Sequence, residues 1–339
     1  MRFLILLSML AGAILSPSGA QAQTPVNRAE FVRIGGIEQW VTMKGSDDRN
    51  PVILFIHGGP GNPLSPYADN LYGSWAGKYT LVQWDQRGAG RSFGRNPKQA
   101  DETLTVERMA KDGTEVAAYV TRTLGKKKVI LVGGSWGAAL AVHMAQSRPD
   151  LFHAYIGSGQ LVNETENAQA TYARTLALVK AKGDAKAADM LATMGTPPWT
   201  NPRNFGAMRR ITRAREAELS QAAPRTWWQP AAEYATPAAQ AEYEAGEEYS
   251  YIQFVGIKGK GMLSTIDLHK LGTRFELPVY LIHGTHDLVT DMAVAQRYFN
   301  AISAPTKEFI VLKNSGHDPN VEMIEAQAAV LAGLRPKLL

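Results

Sequence analysis

The chain has 339 residues, of which 45% are hydrophobic and 20% charged. That length and balance suit two globular domains, or one large domain with an insertion, and exclude a disordered chain. The absence of cysteine excludes disulfides, thiol catalysis and cysteine-ligated zinc, and a net charge of +5 without a basic stripe argues against a nucleic-acid partner.

Arg2 precedes an apolar run from Phe3 to Leu15, followed by Pro17, Gly19 and Ala20-Gln21-Ala22. A positive start, an apolar stretch and an A-x-A site form the layout of a secretory signal. Cleavage after Ala22 is expected, which assigns 1–22 to a leader and the mature protein to the periplasm or the exterior. The run falls short of the roughly 20 apolar residues of a membrane span, so no stable membrane insertion is expected after cleavage.

Glu30 to Lys44 alternates around Gly35-Gly36 and reads as a β-hairpin. Val52–Ile56 and Thr80–Trp84 are continuous runs of the kind that strands buried on both faces require. Val106, Met109, Val116, Val120 and Leu124 recur at helical spacing up to a stop at Gly125. The lysines at 126–128 then read as a solvated loop before a strand over Val129–Val132. A helix from Trp136 to Ser147 follows, with Pro149 beyond it. Near the end the alternation resumes with strands at Val279–Ile282 and Glu308–Leu312, and helices at Met292–Asn300 and Val321–Leu334. Strands separated by helices predict an α/β fold with a doubly wound, mostly parallel sheet.

Between Gln160 and Lys270 that rhythm breaks. The stretch is alanine-rich, then punctuated by Pro197-Pro198 and by Pro224 to Pro230. It predicts an inserted helical cap over 160–270, with a core made of 23–159 and 271–339. Trp199, Trp227, Trp228, Tyr243, Tyr249 and Tyr251 give the cap aromatic area to wall a pocket or to pack on the core.

Gly133-Gly134-Ser135-Trp136-Gly137 is a G-x-S-x-G sequence set between a strand and a helix. This is the setting of a nucleophile elbow, which lifts a serine hydroxyl above the sheet. The Trp136 N–H at the helix start is then aimed at a developing oxyanion. A serine hydroxyl needs a base, and the base needs an orienting acid. Asp287 follows the strand ending at Ile282, and His317 follows the strand ending at Leu312, in the order serine, acid, histidine. His283 and His286, with Asp287 beside them, lack the i, i+4 helical spacing of zinc-binding histidine pairs, and no metal or other cofactor is expected. Asp318 ranks below Asp287 as the acid. His57-Gly58-Gly59-Pro60-Gly61 follows a buried strand and offers a second oxyanion donor, Gly59 first and Gly58 second, with His57 structural.

The three segments His57–Gly61, Trp84-Asp85-Gln86-Arg87-Gly88-Ala89-Gly90-Arg91-Ser92 and Gly133–Gly137 together resemble the proline iminopeptidase (prolyl aminopeptidase) family of α/β-hydrolases. The resemblance covers the core on both sides of the insertion and is looser inside it. It implies an α/β-hydrolase fold, a helical cap and cofactor-free acyl transfer from a peptide N-terminus. Asp85 and Arg87 are then expected to brace the glycine loop.

An aminopeptidase must hold a protonated amine, so the cap should supply carboxylates in a partly dry pocket. Glu248 is similar to an amine-recognising glutamate of that family, with Glu247 and Glu244 as neighbours; the alternative for each is a solvated helix face. After Trp227-Trp228 the family pattern calls for a glutamate, where this chain has Gln229, a neutral amide. The expected substrate is a small peptide, or a small amide or ester. The readings left open are an aminopeptidase or amidase, a carboxylic-ester hydrolase, and a non-catalytic binding protein on a hydrolase scaffold.

Overall fold

The computed structural model describes residues 23–97 and 103–338. The leader expected over 1–22 lies outside the described residues. Eight strands run in chain order as β1 (Val26–Ile34), β2 (Ile37–Gly45), β3 (Val52–Ile56), β4 (Thr80–Trp84), β5 (Val129–Gly134), β6 (Phe152–Ser158), β7 (Val279–Gly284) and β8 (Lys307–Leu312). They form one sheet in the order β1-β2-β4-β3-β5-β6-β7-β8. The β1–β2 hairpin and the β2–β4 pair are antiparallel, and β3 onward is parallel.

The helices are α1 (Ala68–Tyr72), α2 (Gly90–Arg95), α3 (Val106–Thr123), α4 (Trp136–Ser147), α5 (Glu164–Ala181), α6 (Ala185–Met194), α7 (Pro202–Leu219), α8 (Pro237–Val255), α9 (Leu268–Leu271), α10 (Met292–Ala301) and α11 (Val321–Leu334). Successive strand residues point to opposite faces, and each face carries its own core. Leu54, Leu131 and Leu281 pack with Met109, Val120, Leu140 and Tyr298 of α3, α4 and α10. Ile53, Phe55, Ile130 and Ile282 pack with Tyr72 of α1 and with Ile324 and Leu331 of α11. Each such buried side chain contributes about 1.5–3 kcal/mol. Helices on both faces explain why the central strands read as unbroken apolar runs.

Between β6 and β7 lie α5 to α9 and several short turns. Side chains of Asn163, Asp184, Asn201 and Thr236 cap α5, α6, α7 and α8, satisfying amides that a helix start leaves orphaned. Tyr172, Leu191, Trp199, Met208 and Ile211 form a small core of this insertion's own. None of the described helices is long and apolar enough to cross a membrane.

Candidate active site

The chain turns sharply between β5 and α4, where Ser135 takes φ 56° and ψ −121°, a strained conformation for a non-glycine residue. Its amide donates to the Ser158 carbonyl at 2.9 Å, which pins the turn to the end of β6. Gly133 and Gly137 flank it because there is no room for more. A Cβ on Gly137 would collide with the Ile56 carbonyl, and one on Gly133 would lie 2.5 Å from the Gly137 carbonyl. Trp136 opens α4, so its amide has no acceptor within the helix.

Asp287 and His317 come from the loops after β7 and β8, at the same carboxyl end of the sheet. His317 Nε2 lies 3.0 Å from Ser135 Oγ, and His317 Nδ1 lies 2.9 Å from Asp287 Oδ2. Asp287 is buried. Its Oδ1 accepts from the Val289 and Thr290 amides, both at 2.8 Å, and its Oδ2 accepts from Thr290 Oγ1 at 2.7 Å. Burial alone would push this carboxyl up, but the charge and hydrogen bond of His317 hold it well below the usual carboxylate range. Burial likewise works against a charged His317, yet Asp287 wins and raises the imidazole above its ordinary value. A hydroxyl, an imidazole and an ionised carboxyl in this chain can move a proton off the serine as it attacks.

His283 sits behind the acid, its Nε2 donating to the Thr290 carbonyl at 2.9 Å; burial pushes its pKa down, so it is neutral. Among the described residues no group of three or more His, Asp or Glu could hold a metal ion.

The glycine loop after β3 faces the elbow. A Cβ on Gly58 would come within 3.4 Å of Ser135 Cβ, whereas one on Gly59 would meet Asn62 instead. Both glycines line the cavity above Ser135. His57 Nδ1 donates to the Gly58 carbonyl at 2.8 Å and Nε2 accepts from the Gln86 amide at 3.1 Å. Burial pushes its pKa down to about 4, so His57 is a neutral brace. The expected brace from Asp85 and Arg87 is different in fact. Asp85 binds Ser65 and the Arg91 amide, and Arg87 pairs with Asp112 at 2.7 Å. The residue that grips the glycine loop is Gln86, whose Nε2 donates to the His57 carbonyl at 2.9 Å. Asp85 and Arg87 differ because each carries a charge into the interior and must spend it on a partner.

A cavity of about 990 Å³ opens above Ser135, roofed by the insertion. Of the six expected aromatics, Trp199, Trp228, Tyr243 and Tyr251 line it. Trp227 packs on the core instead, and Tyr249 packs against Phe93 with its ring tilted by 30°. Among the four expected substrate-binding residues only Glu247 reaches the cavity. Glu248 is exposed on α8, Glu244 bonds Gln240 on the helix surface, and Gln229 is exposed, its carbonyl held by Asn70. The reason is register. Gly246 and Ser250 are the residues of α8 that pack down on the Gly88–Gly90 loop, and neighbouring helical positions diverge by about 100°.

Sequence reasoning missed two cavity carboxyls, Glu164 and Glu216. Glu216 is buried, accepts from the Leu288 amide at 2.6 Å and lies 3.9 Å from Arg209 Nη1. Burial pushes its pKa up to about 7. Glu164 opens α5, and among the described residues its carboxyl has no hydrogen-bond or ion-pair partner; burial pushes it up to about 8. Nothing in the linear pattern singles out either residue. An acid at a helix start reads as a response to the helix dipole, and Glu216 stands in a run of charges that reads as a solvated face.

With this geometry in hand, the chain belongs to the alpha/beta hydrolase fold family, whose profile matches residues 51–322. It is therefore an enzyme of the hydrolase class. It is similar to the probable aminopeptidase YbaC of Bacillus subtilis (strain 168), with 28% identity over 297 residues, covering 85% of this chain and 90% of the relative. A proline iminopeptidase of Arabidopsis thaliana is 24% identical over 299 residues, covering 84% and 73%. Among solved structures, the proline iminopeptidase of Mycobacterium smegmatis superposes with a TM-score of 0.61 at 21% identity, over 91% of this chain and 98% of that one. VinJ superposes at 0.64 and 21%, over 92% and 99%; at that identity the two structures share the fold.

Proposed function

We propose that the protein is a serine hydrolase that works through an acyl-enzyme and releases an N-terminal residue, such as proline, from a small peptide or amide. The observation that carries this reading is the hydrogen-bonded chain from Ser135 Oγ through His317 to buried Asp287, opening into one cavity. Ser135 attacks the scissile carbonyl as His317 Nε2 takes its proton, and Asp287 holds the imidazole in the Nδ1–H tautomer. Amides of Trp136 and of the glycine loop, Gly59 with Gly58 beside it, stabilise the oxyanion. His317 then protonates the leaving amine, and water repeats the cycle on the acyl-enzyme. Cavity carboxyls Glu164 and Glu247 are in the right surroundings to receive the substrate ammonium, and the peptidase names of the relatives agree.

Ester hydrolysis on the same machinery is favoured by a different observation. Three of the cavity's acids already have protein partners: Glu247 with Asn62 at 2.7 Å, Glu216 with the Leu288 amide, and Asp318 with Arg209 at 2.9 Å. That lining leaves little free charge and suits a neutral acyl group. Turnover of prolyl and other aminoacyl anilides against short-chain aryl esters decides between the two. Good ester cleavage with no anilide activity would reject the peptidase reading. Export through the 1–22 leader belongs to the same proposal, and N-terminal sequencing that finds Met1 retained would reject it.

A further inference from the structure

The loop that bears Asp287 divides its backbone between two parts of the molecule. Its first amides belong to the sheet end: Thr285 N–H donates to the Leu312 carbonyl, His286 N–H to Ser315 and Asp287 N–H to Gly284. The Val289 and Thr290 amides turn back to Asp287 itself. The Thr290 carbonyl and the Thr285 hydroxyl also stay with the core, at His283 and the Lys313 carbonyl, but several other backbone groups of the loop go to the insertion. Arg174 of α5 donates from Nη1 to the Asp287 carbonyl at 2.9 Å and from Nη2 to the Thr285 carbonyl. Asn167, one face of the same helix, donates to the Val289 carbonyl at 2.9 Å and accepts from the Asp291 amide at 2.8 Å. Glu216 of α7 takes the Leu288 amide.

We infer that the insertion sets the position of the acid, with Arg174 and Glu216 as positioning residues that hold Asp287 within reach of His317. With the insertion packed over the loop, the Thr285, Asp287 and Val289 carbonyls find their partners on α5, and covered backbone groups do not stay unpaired. Arg174 suits the task because a planar guanidinium can serve two carbonyls at once, which an ammonium does poorly. Its charge is balanced nearby by Asp291, 4.0 Å away. The inference rests on Asp287 being the acid of the proposed reaction.

The test separates placement from simple loss of a charge. His317 is faced by Asp287 and Asp318 and by Arg209, and it interacts with His283 and Glu216. Removing a nearby cation would by itself raise the imidazole pKa, whereas displacing Asp287 lowers it. Arg174→Ala is expected to cut kcat roughly 10- to 100-fold, as small misplacements of reacting groups do. KM should change little, and the acidic limb of the kcat/KM profile should move to lower pH. Arg174→Lys should recover part of kcat, and Asn167→Ala, which frees the Val289 carbonyl and the Asp291 amide without removing a charge, should reproduce the same pattern should Arg174→Ala fail to fold. Arg297→Ala, which breaks an exposed pair with Glu166, should leave kcat unchanged. A folded Arg174→Ala, or Asn167→Ala in its place, with wild-type kcat and pH limb, beside an inactive Ser135→Ala, would overturn the inference. An active Ser135→Ala would instead reject the serine mechanism beneath it.

Discussion

The indole N–H of Trp136 donates to Gln86 Oε1 across 2.9 Å in a fully buried setting. The same Gln86 holds the His57 carbonyl through Nε2, so one amide side chain joins the elbow to the glycine loop. These are the two segments proposed to supply the oxyanion donors. Gln86→Leu strands a buried indole N–H and the His57 carbonyl, at a cost of about 1–3 kcal/mol for each unsatisfied group. Chemical denaturation should show that loss. The folded fraction should also show a lower kcat, because the two donors no longer share a brace.

The acid and base make a pH prediction with a definite sign. His317 must be neutral to accept the serine proton, and Asp287 raises its pKa above the ordinary value. Activity should therefore fall as pH drops through a value above the roughly 6.5 of a free histidine. Asp287→Asn should shift that limb downward and lower kcat by about 10⁴, since the wrong tautomer is then favoured. A kcat/KM profile of the two proteins checks both effects.

Glu164 gives a substrate-dependent prediction. With its pKa at about 8, the carboxyl is neutral in an empty site at pH 7 and ionises when a cation arrives. Glu164→Gln should raise KM for aminoacyl anilides and leave aryl-ester turnover near wild type. Equal effects on both substrate classes would remove Glu164 from amine recognition.

The elbow's glycines separate into two kinds. A Cβ on Gly137 collides with the backbone at the end of β3, whereas one on Gly134 meets nothing within 4 Å. Gly137→Ala should fail to give folded protein, or lose several kcal/mol. Gly134→Ala should keep stability within about 0.5 kcal/mol of wild type. Thermal unfolding of the two variants tests the geometry without any substrate.

What could be read in the sequence follows the same division between core and insertion. Ser135, Asp287 and His317 each stand just past an apolar strand, so chain order alone brought them to one end of the sheet. The parallel sheet was legible because helices on both faces force unbroken apolar strands such as Val52–Ile56. β1 reads less clearly: most of its residues face solvent, which left Val26 to Ala29 outside the expected hairpin. In the insertion the pattern is weak because α8 is held by small residues, Gly246 and Ser250, and not by an apolar stripe. There the family resemblance points to Glu248, while the helix register turns Glu247 to the cavity. Glu216, Arg174 and Gln86 bind backbone groups distant in sequence, and Glu164 meets the cavity only through the fold; no local spacing announces either.

The central claim is that Ser135 carries the acyl group, and covalent labelling tests it most directly. The protein is incubated with an alkyl fluorophosphonate, and its intact mass and peptide masses are read alongside Ser135→Ala. One adduct per chain, on the peptide containing Ser135, together with an unlabelled and inactive Ser135→Ala, is the predicted result. A label on another residue, or a Ser135→Ala that is labelled and turns over substrate like wild type, would contradict the account.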